Sequence, residues 1–122
     1  MSQNVRIAGL QMVSGPRVAD NLVTATRLVE EAVAQGAELL VLPEYFPVIG
    51  AVDADRVRAR EPFGQGPVQD WLAATAKRHG IWLVCGSLPL EASSADKMRN
   101  TTLVYNPDGL CGARYDKMHL FG

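Results

Sequence analysis

Two short apolar runs, ELLVLP at 38–43 and IWLVCGS at 81–87, each follow a stretch of helical periodicity that stops at a glycine. A strand, helix, strand order of this kind places neighbouring strands parallel, and unalternating apolar runs suit strands covered on both faces. In the stretch before the first run, Val18, Leu22, Ala25, Val29, Ala32 and Val33 recur at helical spacing up to Gly36. Arg27, Glu30 and Glu31 fall on other faces, and Asp20 or Asn21 is placed to cap the helix. Before the second run, Gly66-Pro67 opens a helix over Val68–His79, with Val68, Leu72, Thr75, Ala76 and His79 on one face.

The rest of the chain fits around these units. Val5–Met12 is apolar and loosely alternating, which predicts a first strand, broken at Ser14-Gly15-Pro16. Residues 47–66 carry no period and read as a long connection of the kind that is often functional, with a short helix near Asp53–Arg60. Glu91–Arg99 reads as an exposed loop. Asn100–Tyr105 and Leu110–Lys117 read as hairpin arms joined by Asn106-Pro107-Asp108-Gly109, where proline presets φ and glycine accepts a positive one. The order is therefore β-α-β, loop, α-β, β-β, an α/β fold with an antiparallel part.

Composition narrows the function classes. The 122 residues are the length of one domain, and 48% hydrophobic with 20% charged residues is globular composition. Twelve basic against 13 acidic side chains, a formal charge of −1 and no basic block argue against a nucleic-acid partner. The N-terminus has no charged leader before an apolar segment, and no run approaches the ~20 apolar residues that cross a bilayer, so the expectation is a soluble, cytoplasmic protein without membrane association. Cys85 and Cys111 lack CxxC or Cys/His spacing, so neither a metal site nor a disulfide framework is expected.

Glu44 is the unusual residue. Only Pro43 separates it from the end of the 38–42 strand, and the carboxyl ends of strands in α/β sheets face the crevice where ligands bind. Between Leu42 and the aromatics Tyr45 and Phe46 it would be partly desolvated, which raises a carboxylate's pKa towards the range of a general base. The alternative is a loop cap or a surface ion pair. Lys117, in RYDKMHLFG, shares one side of its strand with Tyr115 and His119 by alternation; its alternative is an apolar stem with the ammonium in water.

Taken together, a first strand reaching Gln11, LLVLPEYF, RNTTLVYNPDG and YDKMHLFG resemble the nitrilase, or carbon-nitrogen hydrolase, superfamily, in the branch of small amidases related to omega-amidase and deaminated-glutathione amidase. The resemblance covers essentially the whole chain. It implies the amino-terminal half of an αββα sandwich, a mixed sheet with helices on one face, so that residues 1–122 form the amino-terminal portion of the domain, cut short at Gly122. It also implies a Glu-Lys-Cys triad, with Glu44 at the general base of the PE motif and Lys117 at the lysine of the K-x-H-L motif. In that chemistry a thiolate attacks the amide carbon, the glutamate moves the proton from thiol to leaving amine, and lysine steadies the oxyanion before water cleaves the thioester. A small carboxamide substrate, no cofactor, and a homo-oligomer at full length are implied with it.

Tyr45 and Phe46 are candidate walls of the substrate site, with core packing as the alternative. His119 is a candidate to orient Lys117 or contact substrate, whereas His79 sits at a helix end suited to meeting terminal carbonyls. Asn100 is expected to support the strand entrance. The family's nucleophile follows the lysine in a strand-to-helix elbow, together with a second glutamate in many members, so none of the 122 residues is expected to supply it. Cys85 reads as a small buried hydrophobe and Cys111 as a strand residue without a neighbouring base. Two further readings stand beside this one. The chain could be an inactive fragment or degenerate homologue that binds a partner through the surface its other half would cover. A doubly wound nucleotide-binding domain is disfavoured by the lack of GxGxxG or GxxxxGK[ST].

Overall fold

The structure, a computed structural model, describes residues 4–48, 58–92 and 98–116. Five strands and two helices follow one another as β1 (Ile7–Gly9), α1 (Val18–Ala34), β2 (Leu39–Val41), α2 (Pro67–His79), β3 (Trp82–Glu91), β4 (Met98–Tyr105) and β5 (Cys111–Asp116). They form one mixed sheet in sequence order, β1, β2 and β3 parallel, then β4 and β5 antiparallel. The α/β order and the hairpin are those the sequence predicts. The short helix expected near Asp53–Arg60 lies largely outside the described residues.

Both helices cover the same face of the sheet. From α1, Ala25, Val29 and Ala32 meet Leu40, Leu83 and Leu103 of the strands, and Val68, Leu72 and Ala76 of α2 complete the cluster. The Trp71 indole N–H donates to Thr26 Oγ1 at 2.9 Å and ties the helices together. Burial of a leucine in such a cluster contributes about 1.5–3 kcal/mol. The opposite face is open among the described residues, where register brings Ile7, Leu39 and Trp82 into one row and Val41, Val84 and Val104 into the next. Ile7 is 66% exposed and Trp82 46%.

Several boundaries differ from those read off the sequence. β1 is three residues long because its only partner among the described residues, β2, pairs with it only over Ile7–Gly9. β3 runs on to Glu91, so Glu91 and Arg99, expected in a loop, belong to a ladder with β4. Pro89 fits there because β2 has already ended on that side; in its place Glu61 N–H donates to Pro89 O and Glu91 N–H to Glu61 O. Neither Asp20 nor Asn21 caps α1, which starts after Arg17 without a side-chain cap. Asn21 lies inside the helix and reaches back to Gly15 and forward to Pro47 O. Gly80 ends α2 in the left-handed conformation, as a glycine there should.

In the described end of the connection into α2, residues 58–66, one carboxylate organises the backbone. Glu61, 5% exposed, accepts from the Val68 and Gln69 backbone N–H groups and from Gln69 Nε2. It thereby supplies the helix cap that Gly66 cannot, placing acceptor oxygens at the positive end of the dipole. A Cβ at Gly66 would run into the Glu61 carboxylate, and its φ of 139° independently favours glycine.

Candidate active site

Glu44 is delivered by a turn that three other segments hold. Leu42 N–H still bonds to Val84 O at 2.8 Å, and Pro43, having no N–H, cannot extend the ladder. The chain turns at once, with Phe46 N–H to Pro43 O and Val48 N–H to Tyr45 O, both 3.2 Å. Ser14 Oγ donates to Phe46 O at 2.7 Å and Asn21 Nδ2 to Pro47 O at 2.9 Å. From the other side, Tyr45 N–H donates to Ser87 Oγ at 2.9 Å.

This arrangement sorts the side chains of PEYF. Phe46 is fully buried and packs 5.8 Å from the Trp71 ring, so it anchors the turn in the core. Tyr45 is half-buried and Glu44 exposed. The desolvation expected from its apolar neighbours does not occur among the described residues, because Leu42 and Phe46 turn inward and leave Glu44 outward. An open groove of about 530 Å³, lined by Pro43 and by Leu10, Gln11, Met12 and Val13, runs beside the turn. A larger groove, about 660 Å³, follows β1 and α1 and includes neither Glu44 nor Tyr45.

Lys117 and His119 lie outside the described residues. Asp116, the last described residue, pairs with Thr101 across the β4–β5 ladder. The Asp116 carboxylate accepts from Arg114 Nε at 2.9 Å and Thr101 Oγ1 at 2.8 Å, with Arg99 3.7 Å away. Hydrogen bonding to Arg114 is the largest influence, and the Asp116 carboxyl is held below the usual carboxylate range.

Cys85 is buried and its thiol is pushed well above the ordinary range by burial, which suits a packed side chain and not a nucleophile. Cys111 is exposed, its Sγ 3.5 Å from Ala113 O. Among the described residues no three His, Cys, Asp or Glu side chains gather closely enough to hold a metal ion, and no helix is long and apolar enough to cross a membrane. The residues that sequence reading missed are Ser14, Ser87 and Glu61, and Asn21, read there as a cap, holds the turn instead. All are polar side chains acting on backbone outside their own element, and periodicity carries no signal for such partners.

The carbon-nitrogen hydrolase family profile matches residues 5–122. A deaminated glutathione amidase of Yersinia enterocolitica is 31% identical over 120 residues, covering 98% of this chain and 41% of that protein. The omega-amidase NIT2 of Danio rerio is 36% identical over 127 residues, covering 95% of this chain and 40% of its own length. The crystal structure of an amidase from Nesterenkonia sp. aligns with a TM-score of 0.80 at 28% identity, over 97% of this chain and 44% of that one. The chain spans about 40% of the length of these curated relatives.

Proposed function

The chain belongs to the carbon-nitrogen hydrolase family, and from that premise we propose that the whole protein is an amidase cleaving the C–N bond of a small carboxamide. Glu44 is the general base, Lys117 stabilises the oxyanion, and the nucleophile is a thiol supplied from outside residues 1–122. The observation that carries this reading is the turn at the carboxyl end of β2, where Pro43 stops the ladder and Glu44 is presented outward beside a groove.

In the reaction Glu44 takes the thiol proton as sulfur attacks the amide carbon, and the charge that develops on oxygen is met by the Lys117 ammonium. Collapse breaks the C–N bond, and the proton held by Glu44 leaves with the amine. A water, deprotonated by Glu44, then cleaves the thioester and frees the acid. Tyr45, half-buried next to Glu44, walls the substrate, and His119 contacts it or orients Lys117; Phe46 contributes from the core. The protein needs no cofactor, acts in the cytoplasm and assembles as a homo-oligomer.

In the whole protein Glu44→Gln is expected to lower kcat/KM for amide hydrolysis by about 10²–10⁴-fold and Lys117→Ala by about 10²–10³-fold, both with native circular dichroism. Near-normal turnover in either variant removes that residue from the mechanism. The open apolar face of the sheet favours a second reading, in which the 122-residue segment alone is inactive and acts through that face as a partner-binding module. Amide turnover by the isolated segment would eliminate it.

A further inference from the structure

We propose that Ser87 is a positioning residue for Glu44, holding the Glu44–Tyr45 peptide through its side-chain oxygen; this rests on Glu44 being the base. The Tyr45 N–H that Ser87 Oγ accepts at 2.9 Å belongs to the peptide whose carbonyl carbon is Glu44's own. A displacement of that nitrogen therefore moves the backbone from which the carboxylate projects. Ser87 is fully buried, so bulk water does not replace its hydroxyl when it is removed.

The turn has reason to need holding. Tyr45 has a φ of 54°, a left-handed conformation that a bulky side chain adopts only when its surroundings impose it. β3 supplies the imposition through an irregularity, its register with β4 shifting between Cys85 and Leu88, which places Gly86 and Ser87 together opposite Thr102. A Cβ at Gly86 would collide with Leu42 O and the Pro43 carbonyl, so the glycine lets the chain leaving β2 lie directly on β3. Thr102 Oγ1 donates to Gly86 O at 2.8 Å and fixes the bulge from behind. Pro43 thus rests on Gly86 and Tyr45 is pinned to Ser87, with Glu44 between them.

The test is turnover and melting temperature of the whole protein for Ser87→Ala, which removes the acceptor, and Ser87→Thr, which keeps it but adds a methyl to a filled site. A shift of ~1 Å in a reacting group costs up to about 100-fold, so Ser87→Ala is expected to lose about 10- to 100-fold in kcat with KM within about twofold, and to melt below the parent because the Tyr45 N–H loses its acceptor, but still above Ser87→Thr. Ser87→Thr is expected to melt lower yet keep kcat within about threefold. A merely structural Ser87 would order turnover as it orders stability, and that result, or Ser87→Ala turning over within about twofold of the parent, overturns the proposal. Should Ser87→Thr not fold, the kcat and KM of Ser87→Ala decide alone. Glu44→Gln measured in parallel separates the two ideas: if it retains turnover, the base assignment fails whatever Ser87 does. If it loses turnover while Ser87→Ala does not, only the positioning role fails.

Discussion

Asp116 is the last described residue before Lys117, and its charge is held by Arg114, Thr101 and Arg99. A carboxyl whose folded pKa is depressed contributes stability that is present above its unfolded pKa and lost as pH falls through the folded value. The stability difference between the parent and Asp116→Asn is therefore expected at neutral pH and should vanish progressively in acid, below the ordinary carboxylate pKa; denaturant titrations at a series of pH values check this. Cys85, buried and disfavoured as a thiolate, should resist alkylation in the native protein and react only after unfolding, as peptide mapping would show. At this scale the position of Glu44 just past the end of β2 was legible from sequence, because a proline after an apolar run stops a strand. Its exposure was not legible, since the inward turn of Leu42 and Phe46 depends on α2 and Trp71 lying beneath them.

The elements were legible where their interior pattern is strong and less so where a partner sets their ends. α1 and α2 carry helical spacing within themselves, and the Asn106–Gly109 turn carries its own chemistry, with Asn106 Oδ1 accepting from Asp108 and Leu110 N–H and Gly109 at a φ of 82°. β3 outran its expected end because β4 and Glu61 both continue to pair with it, a fact held in neither segment alone. Glu61 finishes α2 from outside the helix, seven residues before Val68. Glu61→Ala leaves buried N–H donors at the start of α2 without an acceptor, and a loss on the order of 2–3 kcal/mol is expected, measurable by urea unfolding. Leu72→Ala, at the fully buried centre of the same helix, should cost about 2–5 kcal/mol by the same measurement.

For the whole molecule the decisive feature is a sheet with one face covered by helices and the other open. Ile7, Val41, Trp82 and Tyr115 are exposed there, three of the four being large apolar groups on a continuous strand surface. The isolated 122-residue segment is expected to bind hydrophobic dye and to self-associate in analytical ultracentrifugation, behaviour that the whole protein should lack; a monomeric segment that binds no dye would show that the face is not sticky enough to matter. The sequence by itself determined the α/β class, the parallel start and the antiparallel hairpin, because periodicity and glycine and proline placement are local properties of the chain. Only the tertiary structure decided that β3 bulges at Gly86–Ser87, that Asn21 and Ser14 grip the turn after Pro43, and that Tyr45 is held in a left-handed conformation. Those features arise where residues tens of positions apart must satisfy one another's hydrogen bonds within the same buried space, and a buried polar group chooses its partner by where the fold puts it.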